Sequence, residues 1–174
     1  SYKSYCTVER SSLRYLRVLH YNLEGKIKVG EMVCHKDVAK DLLSIFRNLF
    51  DARYPIERMR LIDDYGADDE RSMAANNTSC FNFRYVANTR VASNHSWGRA
   101  VDVNPLYNPC VKRRRNGTVD VSPKSGRRYA DRSRSFSCKI DKNDLAYKEF
   151  IRHGFVWGGS WKSLKDYQHF EKKK

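Results

Sequence analysis

Two stretches of this chain carry the residue types needed to hold a metal ion and to move a proton. The first is Ser93-Asn94-His95-Ser96-Trp97-Gly98-Arg99-Ala100-Val101-Asp102-Val103-Asn104-Pro105. The second begins at Gly158-Gly159-Ser160-Trp161 and runs on to Asp166-Tyr167-Gln168-His169-Phe170-Glu171. A catalytic zinc takes three protein ligands, usually imidazole and carboxylate, and keeps a fourth position for water. His95, Asp102 and His169 supply such a set. Alternation along a strand supports the choice: Val101 and Val103 point into a core, so Asp102 points the other way, and Phe170 likewise faces away from His169. Gly98 lets the chain fold back sharply between His95 and the Asp102 strand. Asp166 lies three residues before His169. Strand parity puts it on the wrong face, which predicts a place on the turn entering the strand, where its carboxylate can serve as a general base. Arg84, on an expected strand ahead of the first stretch, has the charge to hold an oxyanion or a substrate carboxylate. Spacing alone leaves a structural role for His95 and His169 open. His20, His35 and His153 read as structural, His153 as an exposed group or dipole partner at a helix end.

The surrounding elements must position these groups. Residues 13–34 read as two strands turning at Glu24-Gly25. Val38, Leu42, Ile45, Phe46 and Leu49 recur at helical spacing and predict a helix over about 37–52, with Asp37 near its start and Pro55 beyond its end. A strand is expected from Ile56 to Ile62. Residues 63–79, with Asp63, Asp64, Asp68, Asp69 and Glu70, read as a solvated acidic loop, because the spacing and central glycine of a calcium loop are missing. Short strands are expected at Phe81 to Val86 and Ala100 to Val103. A long basic excursion then spans about 106–138. A helix capped by Asn143 or Asp144 runs to His153 and stops at Gly154, and a last strand covers Tyr167 to Glu171. Mixed strands and helices without a βαβ rhythm predict an α+β fold in one domain, 1–174.

Composition narrows the function classes. The chain has 174 residues, 40% hydrophobic and 31% charged, enough to bury a core. No stretch approaches the ~20 apolar residues of a membrane span, and no apolar run of a signal peptide follows Ser1-Tyr2-Lys3. With 34 Lys and Arg against 20 Asp and Glu, the formal net charge is +14. Lys112 to Arg134 alone holds nine Lys or Arg against two Asp, half of that excess. Such a field favours polyanionic partners. A nucleic-acid-binding protein is therefore one rival reading, invited by Arg113-Arg114-Arg115, yet no nucleic-acid-binding motif accompanies the charge. Five cysteines, Cys6, Cys34, Cys80, Cys110 and Cys138, form no CxxC pair. Cys110 and Cys138 bracket the basic excursion and could close it as a disulfide, Cys6 with Cys34 is a comparable candidate pair, and the odd count leaves at least one thiol free.

The pattern Ser-x-His-x-x-Gly-x-Ala-x-Asp-x-Asn, with a downstream Gly-Gly-x-Trp and Asp-x-x-His-Phe, closely resembles the VanY-like zinc D-Ala-D-Ala carboxypeptidases. Within them it is most similar to the L-alanyl-D-glutamate endopeptidase branch, which includes phage endolysins. The resemblance covers roughly 76–171. It implies one zinc ion bound by His95, Asp102 and His169, with Asp166 as catalytic base; many relatives carry Glu there, and the Asp is what points to the endopeptidase branch. Less directly it implies that Arg84 acts on the oxyanion or substrate and that Ser93 and Trp161 face the substrate, a turn-forming serine being the alternative for Ser93. The implied fold is a small α+β domain with a central antiparallel sheet flanked by helices, shared with hedgehog signalling domains. The implied partner is peptidoglycan or its soluble muropeptides, met by a monomer in the cell envelope or secreted, with no specific nucleic acid and no membrane span. An inactive zinc-bearing wall-binding module is the second rival, and the acid at Asp166 argues against it, since a pure binder has no use for a base.

Overall fold

The computed structural model describes residues 1–86 and 89–173. Its elements are strands β1 (Leu13–Tyr21) and β2 (Ile27–His35), helix α1 (Lys36–Asp51), helix α2 (Asp69–Ala74), strands β3 (Ala100–Asp102), β4 (Cys110–Arg113) and β5 (Val119–Ser122), helix α3 (Leu145–Arg152), and strands β6 (Val156–Trp157), β7 (Lys165–Asp166) and β8 (His169–Glu171), with short 3-10 turns between them. The fold is α+β. Its antiparallel pairing is spread over three small sheets, ordered β1-β2, β3-β8-β6 and β5-β4-β7, in place of one central sheet.

Helix α1 explains the core. Val38, Leu42, Ile45, Phe46 and Leu49 fall on one face at 3.6-residue periodicity and are all buried. That face meets Phe150 of α3, whose ring lies edge-on to Phe46 at 6.2 Å. Phe150 in turn stacks on Phe170 of β8, with centroids 4.3 Å apart and planes 14° from parallel. A continuous apolar column thus runs from α1 to the strand that carries His169. Each fully buried large side chain in it contributes roughly 1.5–3 kcal/mol.

Several expectations change. Residues 56–62 form no strand: Ile56 and Met59 are buried there, but the segment is paired only by an isolated bridge from Arg58 to Asn77. The acidic stretch at 63–79 is not a loop. It holds a 3-10 turn, Ile62–Tyr65, and α2, where Asp68 caps the helix by accepting from the Arg71 N–H and Asp69 and Glu70 occupy the first turn. Acids are stabilised at that end, where free N–H groups and the helix dipole are positive. The segment 81–86 forms no strand ladder, and Tyr85 makes an isolated bridge to Ala92. The basic excursion contains the β4–β5 hairpin and a 3-10 turn, Lys124–Tyr129.

All five cysteines are free, so neither candidate disulfide forms. Cys34 is fully buried in the main core, where burial pushes its thiol up to about 12. Cys6 packs in a separate cluster with Val8 and Phe81. The basic excursion is closed by polar contacts instead. The Asn108 amide donates to the carbonyls of Asn104 (3.1 Å) and Cys138 (2.9 Å) and accepts from the Ile140 N–H (2.8 Å). Arg132 adds bonds to the Tyr107 carbonyl (2.9 Å), Asn108 Oδ1 (3.0 Å) and the Ile140 carbonyl (2.8 Å), and its guanidinium lies 4.4 Å from the Tyr167 ring centroid. Burial lowers the Arg132 pKa to about 10.

Helix α3 carries a buried acid that makes stability depend on pH. Asp144 caps it by accepting from the Ala146 and Tyr147 N–H groups and from the Tyr54 hydroxyl. Burial raises its pKa to about 6, against the pull of those hydrogen bonds. A carboxyl whose folded pKa lies above its unfolded value of ~3.9 stabilises the fold fully below that value, and the contribution is lost as pH rises through about 6. Asp144→Asn keeps a capping oxygen and removes the titration. Urea unfolding should show the variant gaining about 2–3 kcal/mol on the parent between pH 4 and pH 8.

Candidate metal centre

Three short pieces of chain assemble the centre. His95 sits in the 3-10 turn Asn94–Trp97, whose N-cap Ser93 accepts the His95 N–H at 3.3 Å. The turn reverses at Gly98 with φ +63°, where a Cβ would lie 2.6 Å from the His35 backbone N. Both the left-handed backbone and the close approach require glycine. Asp102 ends β3, His169 begins β8, and the two are direct partners in the antiparallel ladder. Their side chains therefore leave the same face of the sheet, while Val101 and Phe170 fill the other face and are fully buried.

The ligand atoms form a tight triangle. His95 Nε2 is 3.2 Å from Asp102 Oδ2 and 3.2 Å from His169 Nδ1, and His169 Nδ1 is 3.1 Å from Asp102 Oδ1. The outer ring nitrogens are both engaged. His95 Nδ1 lies 2.6 Å from the Cys80 carbonyl oxygen, and His169 Nε2 lies 3.0 Å from Glu171 Oε2. A neutral imidazole has one N–H. With that hydrogen donated outward in each ring, both inner nitrogens present lone pairs to a carboxylate. In that tautomer three buried acceptors face one another, and positive charge, from a metal ion or from a proton on one ring, must lie between them. The protonation preferences express the same demand. Burial works against a charged His169, yet its hydrogen bonds to Asp102 and Glu171 push its pKa up to about 10. Burial also works against the Asp102 carboxylate, but His95 and His169 hold it well below the usual range. Among the described residues, His95, Asp102 and His169 are the His, Cys, Asp and Glu groups compact enough to hold a metal ion.

Asp166 is placed differently from the expectation of a turn. It belongs to β7 and pairs with Cys110 of β4, so the chain passes from one sheet to another between Asp166 and His169. Gly158 makes that crossing possible: a Cβ there would lie 2.7 Å from the Asp166 carbonyl oxygen and 3.2 Å from His169 Cβ. Asp166 Oδ1 is buried without a hydrogen-bond partner. Burial raises its pKa to about 6, with the charge of His169 opposing and that of Asp102 adding.

The other predicted residues are less central. The Arg84 guanidinium pairs with Asp69 of α2, and Arg84 is joined to the His95 turn through its backbone, which exchanges hydrogen bonds with the Ser96 hydroxyl at 2.8 and 2.6 Å. Ser93 serves as a helix cap. The Trp161 ring lies 5.2 Å from that of His169 and lines a hollow with Trp157, Val156 and Glu171. His20 is buried and bonds the Ile56 carbonyl oxygen at 2.8 Å, and His153, read from sequence as exposed or a dipole partner, is half-buried with Nδ1 3.2 Å from Asp41. Sequence reasoning gave no role to Cys80, whose backbone carbonyl orients His95. It also gave none to Asn94 and Glu171, which meet at 2.6 Å; both stand inside the motif, but nothing local shows that they touch.

Residues 87–172 match a family model described as D-alanyl-D-alanine carboxypeptidase. That span contains His95, Asp102, Asp166 and His169. Comparison with curated proteins and with solved structures gave no significant match. The metal-free protein is expected to take up one divalent ion, measured by elemental analysis after dialysis, and His95→Ala or His169→Ala to lose it. Full occupancy in both variants would show that the triangle is not the site.

Proposed function

We propose that this chain, which through residues 87–172 belongs to the VanY-like D-alanyl-D-alanine carboxypeptidase family, is a zinc-dependent peptidase that hydrolyses a peptide bond in the peptidoglycan stem. The observation that carries this reading is the buried triangle of two imidazole lone pairs and a carboxylate, with an unpartnered Asp166 oxygen in the same interior. The donor set fits the ion. Zinc bonds nitrogen and oxygen at ~2.0–2.1 Å in a tetrahedron, whose edges are then ~3.3–3.4 Å, close to the 3.1–3.2 Å separations here. When bound, zinc supplies Lewis-acid polarisation of a carbonyl and acidifies water.

The chain's own residues supply the rest. The His95, Asp102 and His169 side chains are held by a ladder and a capped turn, so little reorganisation accompanies catalysis. Asp166 takes the proton of the attacking water and returns it to the leaving amine. Its raised pKa, about 6, suits a group that must both accept and release a proton near neutrality. The aspartate at this position supports cleavage between L-Ala and D-Glu, with D-Ala-D-Ala as the other bond in question. On this reading the protein works in the cell envelope or after secretion. Among the described residues, no helix is long and apolar enough to cross a membrane.

Asp166→Asn keeps shape and removes the proton acceptor. It is expected to retain metal and fold while turnover of purified muropeptides, followed by mass spectrometry, falls roughly 10²–10⁴-fold. Near-normal turnover would remove Asp166 from the role of base, and a parent that cleaves no muropeptide would favour an inactive binding module.

The basic hairpin supports a second element of this reading. Because β4 pairs with β7 at Cys110 and Asp166, Arg113 to Arg115 project from the same sheet that carries the base. We expect them to draw anionic wall material toward the site. Neutralising all three should slow hydrolysis of intact wall at low salt and leave a small soluble peptide nearly unaffected. The difference should fade as salt shortens the range of attraction to ~8 Å at physiological ionic strength. Equal rates on intact wall at low salt would reduce the charge to a role in solubility.

A further inference from the structure

Glu171 and Asn94 were assigned nothing by the motif, yet they meet at the outer edge of His169. Glu171 Oε2 accepts from two donors, His169 Nε2–H at 3.0 Å and Asn94 Nδ2–H at 2.6 Å. All three residues are at least partly buried, Glu171 to 8% exposure and His169 to 6%. Glu171 pairs with Ala100 across the β3–β8 ladder and with Val156 on the other side, so its backbone is fixed by both neighbours. Asn94 opens the turn that carries His95. The contact therefore joins the two segments that contribute imidazoles, at a point outside the triangle.

The geometry points to a positioning clamp: Asn94 holds the Glu171 carboxylate, and the carboxylate holds His169 as its Nε2–H tautomer, with Nδ1 turned to the metal position. The inference rests on the metal reading above and adds two residues to it. A ring with no acceptor at Nε2 can place its hydrogen on either nitrogen and can rotate about its χ2 bond. Both freedoms weaken ligation, and removing such a partner typically costs 10–100-fold in metal affinity. Asn94 matters because an otherwise mobile carboxylate would lose rotamer entropy on meeting the ring. The second bond to the same oxygen keeps it in place beforehand.

The test is zinc affinity by competition with chelators of graded strength, on parent, E171A, E171Q and N94A, with thermal melting as the control for folding. We expect E171A to bind zinc roughly 10–100-fold more weakly than the parent and N94A to fall between the two. E171Q should stay within about threefold of the parent, because its amide oxygen still accepts from Nε2–H. Proton–nitrogen correlation spectra of the zinc-loaded parent should show a slowly exchanging His169 Nε2–H, retained in E171Q and lost in E171A. General destabilisation would not produce that pattern. If E171A does not fold, the parent spectrum together with E171Q and N94A decides the matter. Absence of the Nε2–H signal from the zinc-loaded parent overturns the clamp, as does E171A or N94A binding with parental affinity. A parent that takes up no zinc overturns the metal reading itself, and the clamp with it.

Discussion

When both imidazoles turn lone pairs inward, three electron-pair donors buried around one point repel each other, and that repulsion sets the terms for the rest of the molecule. His95, Asp102 and His169 cannot sit 3.1–3.2 Å apart in a dry interior unless positive charge lies among them. The cost of holding them there must come from elsewhere. The fold meets it with a direct ladder pairing of Asp102 and His169, a column of aromatic rings beneath β8, and outward hydrogen bonds that leave each imidazole one way to face. A site assembled in this way is stiff. Stiffness is what metal ligation and proton transfer need, because an error of an ångström in a ligand or base is costly.

The same logic accounts for the glycines of the two motifs. At Gly98 a side chain would strike the backbone of β2's last residue, and at Gly158 it would strike Asp166 and His169. Both are places where a backbone that carries functional groups passes within van der Waals contact of another segment. The motif is thus as much a record of close approaches as of chemistry. Asp166 shows the point from the other side. It can stand near His169 without ligating because the chain leaves one sheet and joins another in the intervening two residues.

The basic excursion belongs to the site's architecture. Its first strand is the middle strand of the β5-β4-β7 sheet, so Asp166 has a defined position because residues 110–122 fold. Asn108 and Arg132 fasten this hairpin to the body through backbone carbonyls. A half-buried guanidinium satisfied by several oxygens and ring faces does the work for which a disulfide was one candidate. Cys110 is turned instead toward the base, and burial and the neighbouring Asp166 carboxylate push its thiol well above the usual range.

Local pattern determined a good deal. The apolar face of α1, the Asp144 cap of α3, the reversal at Gly98 and the α+β class all follow from neighbours within a few residues, and such neighbours are visible in sequence. The grouping of His95, Asp102 and His169 was legible only in part: strand parity put Asp102 and His169 on the polar side of their strands, while spacing left a structural role for the two histidines open and the resemblance of the motif singled out the set. The tertiary structure alone decided what depends on pairing between distant segments. That includes Asp166 on β7 beside Cys110, the Arg84 guanidinium engaged by Asp69, the five unpaired thiols, and the contact of Asn94 with Glu171 across 77 positions. Periodicity reports which face of an element is apolar. It carries no information about which other element that face or edge will meet, since long-range pairing is fixed by the summed packing of the whole chain.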